Sequence, residues 1–218
     1  MAALGDVRDQ AVLDVGCGTG FYSRAARRAG AARVLGLDLS TEMIRFAQGA
    51  EQAAPLGIEY RVGDANQLDT IDSFDVALGV HLLHYASSLD SLAAMCAGLA
   101  RNLKPGGRFV GVVMNPQPPP ADDTYRSYGL HMRQPDASTD GAAVHFRVEM
   151  GGALTPEFTA YRFRRPTLEA ALTAAGFSDI AWPGVRVSAQ GLQQHGAEYW
   201  APYLAHPHAV VLQCRKGT

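Results

Sequence analysis

The segment Asp14-Val15-Gly16-Cys17-Gly18-Thr19-Gly20 follows directly on the apolar run Ala11 to Val15 and precedes a helical pattern over Phe21 to Ala29. Glycines spaced G-x-G-x-G let a backbone turn sharply, approach a ligand closely and aim helix N-terminal amides at it. A strand, a glycine loop and a helix in that order constrain the chain to a sheet with helical connections.

The rest of the first two-thirds repeats that alternation. Strands are expected at Arg33 to Leu37, Ile58 to Val62, Phe74 to Val80 and Arg108 to Met114. Between them lie a helix capped by Ser40 that runs to about Ala53, and an amphipathic helix with Leu89, Leu92, Ala93, Cys96, Leu99 and Leu103 on one face. Lys104-Pro105-Gly106-Gly107 is expected to stop that helix and turn the chain into the fifth strand. The pattern predicts an α/β, doubly wound, mostly parallel sheet covered on both faces.

After Asn115 the alternation fails. Pro116, Pro118, Pro119 and Pro120 impose an extended path, and Ala143 to Met150 with Phe158 to Phe163 read as a hairpin. Residues 115–165 are therefore expected to form an inserted lid and hairpin within a single domain spanning 1–218. Thr167 can cap a helix that ends at Gly176, and Phe177 to Trp182, extendable to Val187, and His208 to Cys214 would be two final strands separated by a long connection.

Composition narrows the partners. With 218 residues, 47% hydrophobic and 18% charged, the whole chain can fold around one core. A formal charge of -2 offers no basic excess for nucleic acid or an anionic membrane, so a small molecule is the expected partner. Three widely spaced cysteines, no apolar run near the roughly 18 residues of a membrane span and no leader-like N-terminus point to the cytoplasm.

Acidic residues refine the ligand. Asp14 at the loop would repel a pyrophosphate and attract the ammonium of an aminoacyl group, and Phe21 occupies the place where a dinucleotide fingerprint wants a small residue. Asp38, about 20 residues on, stands where doubly wound folds place a carboxylate for ribose hydroxyls. Asp64 in Gly63-Asp64-Ala65 can accept from an exocyclic amine, with Leu39 and Met43 packing on a flat base. Each carboxylate alone is equally a turn former or helix cap; their joint placement carries the argument.

The loop from Val12 to Gly20, the carboxylate after the second strand, Gly63-Asp64, Phe74-Asp75-Val76 and Leu103-Lys104-Pro105-Gly106-Gly107 together resemble the motif series of class I S-adenosylmethionine-dependent methyltransferases. The resemblance implies a seven-stranded sheet with the last strand antiparallel beside the fifth, and S-adenosylmethionine as cofactor. It implies cofactor contacts at Asp14, Gly16, Cys17, Gly18, Gly20, Tyr22, Asp38, Leu39, Met43, Asp64, Ala65, Val80 and His81, with Cys17 a small filler and Tyr22 near the methionine portion. Tyr128-Gly129, Asp140-Gly141-Ala142-Ala143, Thr167 to Phe177 and Glu198-Tyr199-Trp200 resemble methyltransferases of the toxoflavin-biosynthesis type, which methylate ring nitrogens. Many small-molecule methyltransferases begin with helices that cap the cofactor, whereas here the first strand begins by Ala11. The cover is expected from residues 115–165, from the second subunit of a homodimer, or from an upstream segment.

On the acceptor side, His84 is the first candidate for a catalytic or substrate-facing group, because it follows the fourth strand at the carboxyl edge of the sheet. Tyr128 and His131, in the aromatic stretch Tyr125 to Arg133, are the further catalytic candidates. Tyr161, Tyr199 and Trp200 are candidates for ring stacking or for core. No histidine pair sits in a recognisable ligand set, so no metal is expected. The expected activity is methyl transfer to nitrogen or oxygen of a small aromatic or heterocyclic metabolite. A protein or nucleic-acid methyltransferase, an NAD-dependent oxidoreductase and a non-catalytic cofactor-binding module are the alternatives.

Overall fold

A computed structural model describes residues 2–218. The chain runs β1 (Ala11–Val15), α1 (Phe21–Arg28), β2 (Arg33–Asp38), α2 (Thr41–Ala53), β3 (Glu59–Val62), β4 (Phe74–Val80), α3 (Leu89–Arg101) and β5 (Leu103–Met114). It continues with β6 (Leu130–Arg133), β7 (Ala142–Met150), β8 (Ala153–Leu154), β9 (Phe158–Arg162), α4 (Arg165–Ala174), β10 (Phe177–Ala181), α5 (Ala189–Ala205) and β11 (Ala209–Lys216).

Seven strands form one sheet in the order β10-β11-β5-β4-β1-β2-β3, parallel except for β11, which is antiparallel to both neighbours. Strands covered on both faces need apolar side chains in both directions, and β1 supplies them by alternation. Leu13 and Val15 pack in the core cluster with α3 and α4, whereas Val12 packs in the second cluster with Ala26 of α1 and Ile44 and Ala47 of α2. Ser40 and Ser88 cap α2 and α3 by accepting from the backbone N–H groups of Met43 and Ser91.

The residues after β5 build a second, antiparallel sheet in which β7 pairs with β6, β8 and β9. The expected hairpin is there as β7 and β9, in register from Ala142↔Arg162 to Phe146↔Phe158. Strands β6 and β8 join it; both are too short, at 4 and 2 residues, for periodicity to reveal. Met114 at the end of β5 packs with Tyr125, Met132, Val144, Phe146 and Ala160, so the small sheet sits over the carboxyl end of the large one.

Four expectations need correction. The helix before β5 is stopped by Asn102, and pairing begins at Leu103; Lys104 to Gly107 lie within the strand as an irregularity, with Gly106 at φ 73°. Thr167 is not the cap of α4: the helix starts at Arg165 because Pro166 suits a first turn, and the Thr167 hydroxyl donates instead to Asp140. The strand β10 ends at Ala181 and does not run to Val187. The long connection that follows contains α5, which a sequence pattern misses because none of its described residues is buried and Gly196 breaks it at φ 79°.

Arg162 of β9 ties the two sheets together. It is buried with no carboxylate partner, and burial pushes its pKa down to about 10, so it stays charged. Its guanidinium donates to the carbonyls of Asn115 and Gln117 and to Oε1 of Gln134. The first two are charge-assisted bonds to the proline-rich segment, which has few donors of its own. Arg162→Ala is expected to lower stability by about 2 to 3 kcal/mol in urea denaturation, because the carbonyls lose their donor in a buried place.

Candidate active site

The order of the large sheet reverses between β1 and β4, and the carboxyl ends of these two strands frame a crevice. The glycine loop forms one wall. Gly16, Gly18 and Gly20 have φ of 73°, 54° and 83°, a region that side chains with a Cβ rarely adopt. A Cβ on Gly20 would also collide with the Tyr60 hydroxyl, whereas one on Gly18 would meet nothing and point into open space. The loop is closed by backbone bonds from Gly16 and Cys17 to the Leu37 carbonyl, at 2.8 and 2.9 Å.

Asp38 anchors this wall. Its Oδ2 accepts from the Gly18 N–H at 2.8 Å and its Oδ1 from the Ser40 N–H at 2.9 Å. A carboxylate has lone pairs for further donors, so both oxygens keep capacity for a ligand. Asp64 is an acceptor of another kind: Oδ1 takes the backbone and side-chain N–H of Asn66, which fixes the carboxylate at the rim.

Gly16, Asp38 and Asp64 line a cavity of about 710 Å³, bounded also by Val15, His81 and Tyr85 among others. Leu39, Ala65 and Val80 line it too, and so do Ser40, expected only as a helix cap, and Leu82 and Met95, which no motif marks. Of the expected contacts, Asp14, Cys17, Gly18, Gly20, Met43 and Tyr22 are not among the lining residues: Met43 is half-buried on α2, and Tyr22 packs edge-on to Phe21 at 5.1 Å against the second core cluster. Cys17 is buried, and desolvation drives its thiol pKa far up, so it is an inert filler.

Asp14 is buried behind the loop. Its Oδ2 accepts from the Ser23 hydroxyl at 2.6 Å, while Oδ1 is sealed from solvent without any partner. Burial pushes its pKa up to about 6, against which the Ser23 bond pulls down. Ser23 is a member of this site that no motif announced.

A smaller cavity of about 240 Å³ lies between the end of β4 and the second sheet. His81, His84, Tyr85, Met114, Leu130, Phe146, Val148, Phe158, His208 and Ala209 line it, and His81 and Tyr85 line the larger cavity as well. His81 adopts φ 59°, uncommon for a residue with a side chain, just where β4 ends. His84 is buried, its Nδ1 accepts from the Met114 N–H at 3.2 Å, and burial with the nearby His81 and His208 lowers its pKa to about 3. With Nδ1 engaged, the neutral ring carries its proton on Nε2 and acts as a donor, not as a base.

The other two catalytic candidates do not reach either cavity. Tyr128 donates its hydroxyl to the Tyr199 carbonyl at 2.8 Å and stacks on Trp200, so it holds α5 in place. His131 alternates with Leu130 on β6: Leu130 faces the smaller cavity, and His131 faces a charged surface groove with Arg126, Arg133 and Glu157. Tyr199 and Trp200 pack on Tyr128, and Tyr161 packs against the main core. Among the described residues no cluster of three or more His, Cys, Asp or Glu is arranged to hold a metal, and no helix is long and apolar enough to cross a membrane.

Residues 12–107 match the family described as methyltransferase domain. The ubiquinone biosynthesis O-methyltransferase of Rhodopseudomonas palustris is 31% identical over 104 residues, 48% of this chain and 39% of that protein. That of Agrobacterium fabrum is 33% identical over 105 residues, 48% and 40% of the two chains. The chain thus spans about two fifths of the length of these curated relatives. Among solved structures, an S-adenosylmethionine dependent methyltransferase from Mesorhizobium loti aligns with a TM-score of 0.69 at 24% identity, covering 99% of this chain and 94% of that one. The 1,6-didemethyltoxoflavin-N1-methyltransferase of Burkholderia thailandensis, with bound 1,6-didemethyltoxoflavin and S-adenosylhomocysteine, aligns at 0.61 and 22% identity, covering 100% and 74%. Residues 12–107 are thus similar to a methyltransferase domain, and the seven-stranded sheet has the fold of the class I S-adenosylmethionine-dependent methyltransferases.

Proposed function

We propose that this chain transfers a methyl group from S-adenosylmethionine to a nitrogen or oxygen of a small aromatic or heterocyclic acceptor. The observation that carries the reading is the junction of two cavities, about 710 and about 240 Å³, at His81 and Tyr85. The larger has room for a nucleoside with an amino-acid arm. The smaller has an aromatic and aliphatic wall suited to a single ring system.

The residues of the larger cavity fit the cofactor by their chemistry. Behind the cavity wall, beside Val15 and Gly16 that line it, Asp14 Oδ1 is a buried oxygen that lacks a donor, and its negative charge favours an ammonium group nearby. Asp38 offers acceptors for ribose hydroxyls and Asp64 an acceptor for an exocyclic amine, with Leu39 supplying an apolar surface for a base. When bound, S-adenosylmethionine supplies an electrophilic methyl on a positively charged sulfur. The protein's task is then to orient the acceptor and keep water out. Phe146, Phe158, Leu130 and Val148 exclude water from the acceptor cavity, and His84 Nε2–H gives the acceptor one fixed hydrogen-bond donor.

Three buried, unpaired thiols fit a reducing compartment such as the cytoplasm.

Calorimetry with S-adenosylhomocysteine tests the reading directly; tight binding of NAD with none of S-adenosylhomocysteine would sink it. Asp38→Ala is expected to weaken S-adenosylhomocysteine binding by about 1 to 3 kcal/mol, through lost bonds to ligand and a looser Gly18. Asp14 makes a pH-dependent prediction. Its folded pKa of about 6 lies above the ordinary 3.8, so ionisation is penalised in the folded protein. The penalty is absent below pH 4, grows as pH rises and is complete above pH 6, at about 3 kcal/mol for a shift of about two units. Asp14→Asn is therefore expected to stabilise the ligand-free protein more at pH 8 than at pH 4 in urea denaturation, while weakening cofactor binding. For His84→Ala, turnover should fall with S-adenosylhomocysteine affinity intact.

A further inference from the structure

The acceptor cavity contains a second imidazole whose tautomer its neighbours dictate. His208, at the mouth of β11, places Nδ1 at 2.9 Å from the Tyr203 hydroxyl of α5. A phenol is the stronger donor and an imidazole nitrogen the stronger acceptor, and among the described residues the Tyr203 hydroxyl has no other side-chain partner. Tyr203 O–H therefore donates to Nδ1, and the His208 proton sits on Nε2. His84 reaches the same state through a different partner, the Met114 backbone N–H.

Both rings line the same cavity, each near His81: the ring centroids lie 5.3 Å from His81 for His84 and 6.2 Å for His208. Neither Nε2 is a sealed, unpartnered atom, since among the described residues only Asp14 Oδ1 is, and both rings belong to the cavity lining. Burial keeps both rings neutral, with the pKa of His84 at about 3 and that of His208 at about 4. No Asp, Glu, Lys or Arg lines the cavity.

We propose that His84 and His208 form a pair of neutral N–H donors that binds the acceptor as its anion. The site would take a ring compound with two lone-pair-bearing atoms on one edge, the nucleophile being a phenolate-type oxygen or a deprotonated ring nitrogen. This inference rests on the proposed function. The acceptor gives its proton to solvent before it enters. Its lone pair forms the new bond to the methyl carbon as the carbon–sulfur electron pair leaves with sulfur, so a negative and a positive charge cancel and no base is required. Two neutral donors stabilise the anion without burying a compensating cation. Tyr203 is then a positioning residue: through His208 it couples α5 to the acceptor.

Nitrogen-15 NMR of the wild-type protein reads the tautomers without turnover. The expected result is protonation at Nε2 and not Nδ1 in both His84 and His208; a proton on Nδ1 of either ring overturns the pair. Binding of 4-nitrophenol to the protein saturated with S-adenosylhomocysteine reads the charge preference, because the phenolate absorbs differently from the phenol. The phenolate is expected to bind at least about tenfold more tightly than the phenol. The preference should be reduced in His208→Phe and partly restored in His208→Gln, which keeps an N–H donor. Tighter binding of the neutral phenol, the signature of a proton acceptor such as His81 in the site, overturns the proposal. Failure of S-adenosylhomocysteine to bind the wild type would instead overturn the proposed function, so the two failures are told apart.

Discussion

The carboxylate of Asp38 is the interaction on which the site depends. One oxygen holds the Gly18 N–H of the loop after β1 and the other holds the Ser40 N–H at the start of α2, so two separate connections are fixed against the end of one strand. Gly18 tolerates this only because its φ of 54° is accessible without a Cβ. The floor of the large cavity thus follows from a few backbone bonds on a rigid parallel sheet, where a preorganised site is best supported.

Around that anchor the protein carries several local penalties. Asp14 is an anion with one orphaned oxygen, His81 sits in a left-handed backbone conformation, and His84 and His208 are imidazoles held uncharged. Each would be selected against in a chain that had only to fold, because buried unpaired charge and backbone strain are costly. They cluster at one end of the sheet, between β1, β4 and β11, and the apolar layers on both faces offset them. Such departures from a merely stable fold, gathered in one place, are what mark this end of the sheet as the candidate site.

The central fold was legible because strands buried on both faces must be nearly continuous in apolar residues, and Ala11 to Val15 and Phe74 to Val80 are. The cavity-lining Asp38 and Asp64 were legible because they stand at fixed offsets from those strands. The second sheet was legible only at its hairpin. Helix α5 was not, since it owes its place to ring contacts of Tyr199, Trp200 and Tyr203 with Tyr128 and to a hydroxyl bond from Tyr128. Such contacts leave no periodic trace.

What the sequence determined by itself is local: which segments are strands and helices, where glycine alone can turn, and which carboxylates end up beside that turn. These follow from backbone sterics and from the spacing of side chains along one element. Only the tertiary structure decided which way side chains in the second sheet face and what lies opposite them. Leu130 faces the smaller cavity and His131 faces away, Tyr128 bonds a carbonyl of α5, and His208 comes from the far side of the sequence to stack near His81 and line the same cavity as His84. That pairing depends on β11 folding back beside β5, a long-range contact whose register no short segment encodes.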